Sequence, residues 1–309
     1  MTEPALLSEE FGAILQLTLN RPNKHNAMNE AIFRGLAQGL ETFIARRDLR
    51  VMLIRAQGKY FSAGADLAEK PVPDMHGSAA AMRTWYRREL NGMLALYQEL
   101  EATEKPIVVA HHATCIGGGL ELSLSCDFRL AAASASYAFP EANFGSLPAT
   151  GGVSRLTRLV GPHWARWMIM ANRPIDAARA LAIGLVHEVY PDSEFDAKVM
   201  EFCEHLCKQP PEFMAMCKVA IELAADLESA QARNLERLAN SVLTLGQEHE
   251  ELVSAWKARF SGKDAGIPRS EGERAAPAQK GAGMPRTGNS TELPRSDGER
   301  AAPAQKERP

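Results

Sequence analysis

Apolar segments alternate with amphipathic helical segments over residues 13–190. Between the first two apolar runs, residues 28–45 repeat large apolar side chains at helical spacing, for example at Ile32 and Leu36. Runs rich in apolar and β-branched residues predict five strands, at 13–20, 51–56, 106–110, 128–132 and 184–189. Because strands alternate with helices, the sequence predicts an α/β architecture.

Composition divides the chain into three predicted regions, a core at 1–191, a helical C-terminal region at 192–262 and a tail at 263–309. Pro210 and Pro211 interrupt the helical region, and a long amphipathic stretch follows at 223–245. In the tail, PRSEGERAAPAQK at 268–280 returns almost unchanged at 294–306, with few large apolar side chains. Such a segment cannot offset its ordering entropy by burial, so we predict disorder, with a docking peptide or a sequence artefact as alternatives.

The charge balance argues against partners that need a strong positive field. The formal net charge is -3, from 35 Lys plus Arg against 38 Asp plus Glu, so we expect neither a nucleic-acid nor a membrane partner. The N-terminal MTEPALLSEE lacks the basic and apolar parts of a secretory signal. The most apolar run, at 106–120, is shorter than the roughly 20 residues of a membrane-spanning helix. We therefore expect a cytoplasmic protein.

The cysteines favour packing over disulfide bonds or metal ligation. Their number, 5, is odd and fits a reducing compartment. Cys203, His205 and Cys207 have a spacing that resembles metal ligands, but on a helix the two cysteines share a face that His205 does not. The HHATC segment at 111–115 ends an apolar strand, where alternate residues face opposite sides. We predict no metal and no redox cofactor.

Two glycine-rich turns and two glutamates together suggest an active site. In FSAGADL at 61–67 the N–H of Ala65 could point at a bound oxygen, and the glycine run at 117–119 opens the helix that carries Glu121. Two N–H groups from separate loops could hold one thioester carbonyl oxygen. One carboxylate could take a proton from water while the other, Glu141, delivers a proton to carbon. This combination predicts the addition of water across an activated double bond.

Each part of this site has a simpler interpretation when taken alone. A glycine run often does no more than shape a tight turn, and most glutamates are solvated surface groups. Tyr137 and Phe139, however, precede Glu141, and apolar neighbours raise the pKa of a carboxyl group toward the range useful for proton transfer. The combination of both turns with both glutamates favours the catalytic interpretation.

Four segments together resemble the crotonase, or enoyl-CoA hydratase/isomerase, superfamily over residues 10–262. They are LNRPNKHNAMN at 19–29, FSAGADL at 61–67, GGGLELSLSCD at 117–127 and FPEANFGSLPATGGVSRLTRLVG at 139–161. The resemblance implies an α/β fold, a crotonase-like spiral of ββα turns with a C-terminal helical trimerisation region. It also implies a homotrimer, or a hexamer built from two trimers.

By this resemblance, Ala65 and Gly118 match the two oxyanion-hole donors of the family. Glu121 and Glu141 match both glutamates of the hydratase branch, which hold the reacting water between them, with Glu141 favoured as the proton donor to the α carbon. Many other branches lack one of the two glutamates, so their joint presence favours an enoyl-CoA hydratase. The substrate would then be an acyl-CoA, and no separate cofactor is expected.

Coenzyme A contacts are also implied by the resemblance. The segment around Lys24 matches the loop near the adenine and phosphates, although Lys24 is equally well explained as a solvated loop lysine. The terminal helix, SAWKARFSGK, matches one that approaches coenzyme A from a neighbouring subunit. The candidate coenzyme A residues are Lys24, Ser62, Ala63, Asp66, Leu67, Phe260 and Lys263.

Two departures from the family pattern concern the substrate. His112-Ala113 replaces an Asn-Gly pair before the glycine run, and Ala149 stands where a glycine is usual, so that its methyl group could crowd the water or the acyl chain. The family places residues 68–100 over the acyl chain, where Trp85 and Tyr86 could line the pocket together with Ala149. Simple core packing explains the same two aromatic residues.

Other functions stay open at this point. An enoyl-CoA isomerase would use one glutamate to move a proton between carbons, and a thioester hydrolase would release free coenzyme A. The chain could also be a binding protein that retains the fold, either an acyl-CoA-binding or an RNA-binding relative. The sequence leaves open the acyl chain, the stereochemistry, the pathway and the choice between trimer and hexamer.

Overall fold

The computed structural model describes residues 3–69 and 77–260. Four of the five predicted strands are present within one residue of the predicted bounds, whereas the fifth, predicted at 184–189, begins only at Glu188. Five further strands, which the sequence did not reveal, accompany them. The ten strands are β1 Leu6–Phe11, β2 Ile14–Leu19, β3 Val51–Ala56, β4 Tyr60–Ser62, β5 Ile107–His111, β6 Thr114–Ile116, β7 Phe128–Ala132, β8 Ser136–Ala138, β9 Ile175–Asp176 and β10 Glu188–Tyr190.

Ten α-helices occupy most of the other described residues. They are α1 Glu30–Ala45, α2 Ala79–Glu89, α3 Asn91–Ala102, α4 Gly118–Leu124, α5 Gly152–Ala165, α6 Ala177–Ala182, α7 Phe195–Cys207, α8 Pro211–Ala224, α9 Ser229–Thr244 and α10 Gln247–Phe260. The predicted helix at 28–45 begins two residues late, at Glu30, because the Asn29 side chain accepts from the Ile32 N–H and caps the helix. Short 3-10 helices lie at Pro22–Lys24 and Pro140–Phe144.

The strands form two sheets, and from β3 to β8 the consecutive strands alternate between them. The larger sheet has the order β1-β2-β3-β5-β7-β10, and the smaller has the order β4-β6-β8-β9. Thus β3 is followed by β4, β5 by β6 and β7 by β8, and each pair leads into a helical segment. This is the spiral of ββα turns that the resemblance implied, and the prediction is confirmed.

The larger sheet is covered on both faces, which explains its nearly continuous apolar strands. In β3, Met52 and Ile54 face the main core with α1, while Val51 and Leu53 face a second core. Helix α7 supplies the other side of the second core with the apolar side chains Phe195, Val199, Cys203 and Leu206. The first helix after residue 191 therefore packs directly on the sheet, and the boundary at 191/192 stays a prediction about composition.

The helical C-terminal region is divided more finely than the sequence suggested. The break at Pro210 and Pro211 is confirmed, since α7 ends at Cys207 and Pro211 opens α8. Residues 223–245 do not form one helix, because Glu228 and Gln231 make a capping box that starts α9. Within 3–69 and 77–260, no helix has the length and hydrophobicity needed to cross a membrane. The tail repeats lie outside the described residues.

Candidate active site

The smaller sheet brings the predicted site segments together. Strand β4 pairs in parallel with β6, and β6 pairs in parallel with β8, so the carboxyl ends of all three meet at one edge. Strand β4 leads into the turn with Ala65, β6 into the turn with Gly118, and β8 into the turn with Glu141. The N–H of Gly117 donates to the Ala138 carbonyl at 3.1 Å and joins the second turn to the third.

The Ala65 N–H points away from Met28, the residue whose backbone binds the loop that contains Ala65. Met28 donates to the Gly64 carbonyl at 2.7 Å and accepts from the Asp66 N–H at 3.0 Å. In such a parallel bridge the N–H of the residue between, Ala65, faces the opposite side. A side chain on Gly64, which has a φ of 87°, would bring its Cβ to 3.1 Å from the Ile116 carbonyl oxygen. Only glycine therefore allows the two turns to approach.

The Gly118 N–H lies beside that of Ala65. The N–H groups of Leu120 and Glu121 turn back to the Gly117 carbonyl, whereas those of Ala65 and Gly118 have no acceptor among the described residues. A Cβ on Gly118 would lie 3.4 Å from the Ala65 nitrogen. Two unpaired N–H donors at adjacent turns make the arrangement expected of an oxyanion hole.

Glu121 is buried and held by two backbone donors. Its side chain lies on the first turn of α4, and the residue is 5% exposed. Its Oε1 accepts from the Thr150 N–H at 2.8 Å and from the Gly152 N–H at 3.0 Å. These two N–H groups fix the position of the Glu121 carboxyl group.

Glu141, unlike Glu121, is not held by hydrogen bonds to N–H groups of other residues in the part of the chain that the structure describes. Its Oε2 is buried and has no hydrogen-bond partner among the described residues. Burial raises the pKa of Glu141 to about 7, and the negative charge of Glu121 adds to that rise, while a hydrogen bond to its own backbone opposes it. The site therefore pairs a carboxyl group fixed by two N–H donors with a carboxyl group whose pKa is raised to about 7.

Gly117 makes room for the Glu141 carboxyl group. A side chain at Gly117 would bring its Cβ to 2.9 Å from Glu141 Oε1, and its φ is 52°. Gly117→Ala should therefore displace Glu141 and reduce turnover by roughly 10-fold. It should also destabilise the fold, because alanine rarely adopts a positive φ.

The matched control is Gly12→Ala. Gly12 has a similar φ of 60° and nothing within 4 Å of a Cβ. We expect both variants to lose thermal stability, and only Gly117→Ala to lose activity. Equal kcat values for the two variants would contradict the contact with Glu141.

A sequence profile of the family described as enoyl-CoA hydratase/isomerase matches residues 9–257. The chain belongs to this family. A 2,3-dehydroadipyl-CoA hydratase of Escherichia coli (strain K12) is 29% identical over 243 residues, which are 79% of this chain and 91% of that protein. A mitochondrial Delta(3,5)-Delta(2,4)-dienoyl-CoA isomerase of Homo sapiens is 30% identical over 260 residues, 81% of this chain and 77% of that protein.

Solved structures of the family share the fold. An enoyl-CoA hydratase from Bacillus anthracis superimposes with a TM-score of 0.76 at 27% identity, covering 82% of this chain and 96% of the other. The crotonase fold, with two mixed sheets and C-terminal helices, is thus shown. Hydratases and an isomerase match at similar identity, so the family is fixed while the branch is not. Because one relative is mitochondrial, the cytoplasmic location stays a prediction.

The candidate coenzyme A residues of the two loops lie together. The Ala63 N–H donates to the His25 carbonyl at 2.9 Å, which places the loop of Lys24 against the turn that follows β4. Ser62 is buried and its hydroxyl donates to the Asn26 carbonyl at 2.8 Å, so this hydroxyl shapes the turn. Lys24 has an exposed side chain.

The remaining coenzyme A candidates divide between exposed, paired and undescribed positions. Leu67 is 61% exposed, whereas the Asp66 carboxylate accepts from Arg21 at 2.9 Å. Phe260 is the last residue of α10 and only its backbone is described, and Lys263 lies outside the described residues. A coenzyme A role for all seven stays a prediction.

The acyl-pocket candidates occupy two places. Trp85 and Tyr86 are half-buried on α2, with ring centroids 5.0 Å apart. Ala149 is exposed and precedes Thr150, whose N–H holds Glu121. The Ala149 methyl group therefore adjoins the turn that positions Glu121, and its role toward water or the acyl chain stays a prediction.

Packing accounts for the side chains with metal-like spacing. Burial raises the pKa of the Cys203 thiol to about 12, and this residue belongs to the second core. Burial lowers the pKa of His111 to about 3, and its Nδ1 lies 3.2 Å from the Tyr137 hydroxyl. Among the residues that the structure describes, no three His, Cys, Asp or Glu side chains form a group that could hold a metal ion.

The sequence did not predict a set of side chains behind Glu121. Arg155 pairs with Glu101 at 2.5 Å, and Tyr97 donates to the Gly118 carbonyl at 3.3 Å. Arg155 falls within the SRLTRLVG part of a recognised motif, but Glu101 and Tyr97 lie on α3, where helical spacing indicates only packing. Their proximity to the site depends on tertiary contacts.

Proposed function

We propose that this chain is an enoyl-CoA hydratase that adds water across the α,β double bond of an acyl-CoA thioester. The observation that carries the proposal is the unequal pair of carboxyl groups, Glu121 held by two N–H donors and Glu141 with its pKa raised to about 7. Hydration needs one group that takes a proton and one that gives a proton, both close to an electrophilic carbon.

The proposed reaction begins with binding of the thioester in the oxyanion hole. The N–H groups of Ala65 and Gly118 bind the thioester oxygen, withdraw electrons from the double bond and make the β carbon electrophilic. Glu121 takes a proton from water as the water oxygen bonds to that carbon. The π electrons move to the α carbon, where Glu141 delivers its proton. Glu121 ends protonated and Glu141 ionised, so the total number of protons on the pair is unchanged.

This proton count predicts the pH dependence. The active free enzyme carries one proton on the pair, and that proton resides on Glu141, whose pKa is about 7. A raised carboxyl pKa means that the proton is present below this value and lost above it. We therefore expect kcat/KM for hydration to fall about 10-fold per pH unit above pH ~7.

Dehydration of the hydroxyacyl product should show the same alkaline limb, because the overall reaction neither takes up nor releases a proton. Assays of hydration and of dehydration between pH 5 and 10 would measure kcat/KM in each direction. A kcat/KM that stays constant to pH 9 would contradict the role of Glu141.

An isomerase is the second candidate, and the same geometry supports it in part. A single carboxyl group with a raised pKa beside an oxyanion hole can move a proton between carbons. The presence of two carboxyl groups favours hydration, since isomerisation leaves Glu121 without a proton-transfer role. A thioester hydrolase would instead direct water at the carbonyl carbon.

Oxygen-18 water separates these reactions. A panel of enoyl-CoA thioesters would be incubated with the purified protein and analysed by mass spectrometry. A labelled hydroxyacyl-CoA would support hydration and identify the acyl class. A product of unchanged mass and shifted retention would indicate isomerisation, and release of free coenzyme A would indicate hydrolysis. An acyl-CoA that binds without turnover would favour the binding-protein alternative.

We also propose a homotrimer, alone or paired as a hexamer. On α8 and α9 large apolar side chains are exposed, among them Ile221 at 69%, Leu238 at 67% and Val242 at 63%. Exposed apolar surface of this kind favours contact with another chain. Sedimentation velocity would test the proposal, and a monomer at micromolar concentration would refute it.

A further inference from the structure

A second set of polar contacts lies behind the turn that holds Glu121. Arg155 on α5 binds Glu101 on α3 through both carboxylate oxygens, at 2.5 and 2.7 Å. Its remaining terminal nitrogen donates to the Thr150 carbonyl at 2.8 Å. The side chain of Arg155 is 14% exposed, so this fork is largely shielded from water.

The turn can accept this guanidinium only because it contains a glycine. A Cβ on Gly151 would overlap the Arg155 guanidinium, and Gly151 has a φ of 99°, which also favours glycine. Thr150 is thus held through both of its backbone groups: its N–H donates to Glu121, and its carbonyl accepts from Arg155. The position of Arg155 therefore fixes the direction in which the turn presents its N–H groups.

We propose that Arg155, fixed by Glu101, is the positioning residue for the Glu121 carboxylate. It does not touch the substrate, and it acts by holding the turn whose two N–H groups bind Glu121 Oε1. The consequence for hydration rests on the proposed function above, whereas the consequence for the turn itself does not. Arg155 is suited to this role because its planar fork binds the two Glu101 oxygens and a carbonyl simultaneously, which a lysine ammonium does not reproduce.

The test uses Arg155→Lys and Glu101→Gln in the full chain. Arg155→Lys keeps the charge and loses the fork, and Glu101→Gln keeps the shape and weakens the pair. The matched control is Arg158→Lys, one turn further along α5, where the ion pair with Asp226 has side chains that are 69% and 61% exposed. Thermal melting checks that each variant is folded.

Two kinetic readouts separate positioning from general damage. Hydration requires Glu121, whereas exchange of the α proton of a saturated acyl-CoA in deuterium oxide requires only Glu141 and the oxyanion hole. We expect Arg155→Lys to lower kcat for hydration by up to about 100-fold with little change in KM, and to leave α-proton exchange nearly intact. Glu101→Gln should cause a smaller loss in the same direction, and Arg158→Lys should cause none.

A third readout is independent of the reaction. Amide hydrogen exchange should speed up at Thr150 and Gly152 in Arg155→Lys, and stay at the wild-type rate in Arg158→Lys. Unchanged amide protection would overturn the proposal, as would equal losses in hydration and α-proton exchange. If the wild-type protein hydrates no enoyl-CoA, the proposed function fails, and the amide rates alone still decide whether Arg155 holds the turn.

Discussion

Glu141→Gln should fold as the wild type does and hydrate enoyl-CoA about 10²- to 10⁴-fold more slowly. The neutral amide has nearly the shape of the protonated acid, which is the form that burial favours at Glu141. Its N–H protons are too weakly acidic to be delivered to the α carbon, so kcat should fall while KM changes little. Steady-state hydration kinetics and a thermal melt of the same preparation measure both expectations.

The companion variant is Glu121→Gln, whose Oε1 can still accept from the Thr150 and Gly152 N–H groups. It should also lose hydration, but it should keep exchange of the α proton, which Glu141→Gln should lose. Because the two groups act in one step, the double variant should lose little more than the worse single variant. Near-normal hydration by Glu141→Gln would remove it from the mechanism.

The second large effect is expected at the oxyanion hole. Ala65→Pro removes the Ala65 N–H, and the bridge to Met28 uses the Gly64 carbonyl and the Asp66 N–H instead. No hydrogen bond between described residues is lost, whereas one of the two proposed donors to the thioester oxygen is replaced by the Cδ of the proline ring. We expect kcat to fall about 10²- to 10³-fold. The carbonyl stretch of a bound thioester should also shift less than in the wild type.

Ala65→Ser is the control for this substitution, because it keeps the N–H and changes only an exposed side chain. It should retain most of the activity. A folded Ala65→Pro protein with normal kcat and a normal carbonyl shift would mean that the Ala65 N–H does not bind the thioester.

The inner strands of the larger sheet were predictable because they are buried on both faces. Strands β3 and β7 coincide with the predicted 51–56 and 128–132, since burial on both faces leaves continuous apolar runs. The smaller sheet was not predictable, because β4, β6 and β8 have only three residues each and show no period. Strand β1 was missed because most of its residues are exposed at an edge.

Some residues of the candidate site were predictable from local sequence motifs, whereas the contacts between residues distant in the sequence were not. Ala65, Gly118 and Glu121 lie in motifs whose residue types and spacing carry the information. The contact of Glu121 with Thr150 spans 29 residues, and that of Arg155 with Glu101 spans 54. Such pairs arise from the packing of α3, α4 and α5, for which helical periodicity predicts the apolar faces and not the polar partners.

The alternation of strands between the sheets has a consequence for how this site can change. Each turn of the spiral ends one short strand at the same edge, and each end supplies one component of the proposed site: a proposed donor after β4, a proposed donor and base after β6 and the proposed acid after β8. Each component therefore has its own stretch of chain and its own supporting contacts. A substitution after β8 could replace the acid while the hole and the base stay in place. The proposed catalytic apparatus is therefore modular, and new chemistry could be acquired one strand end at a time.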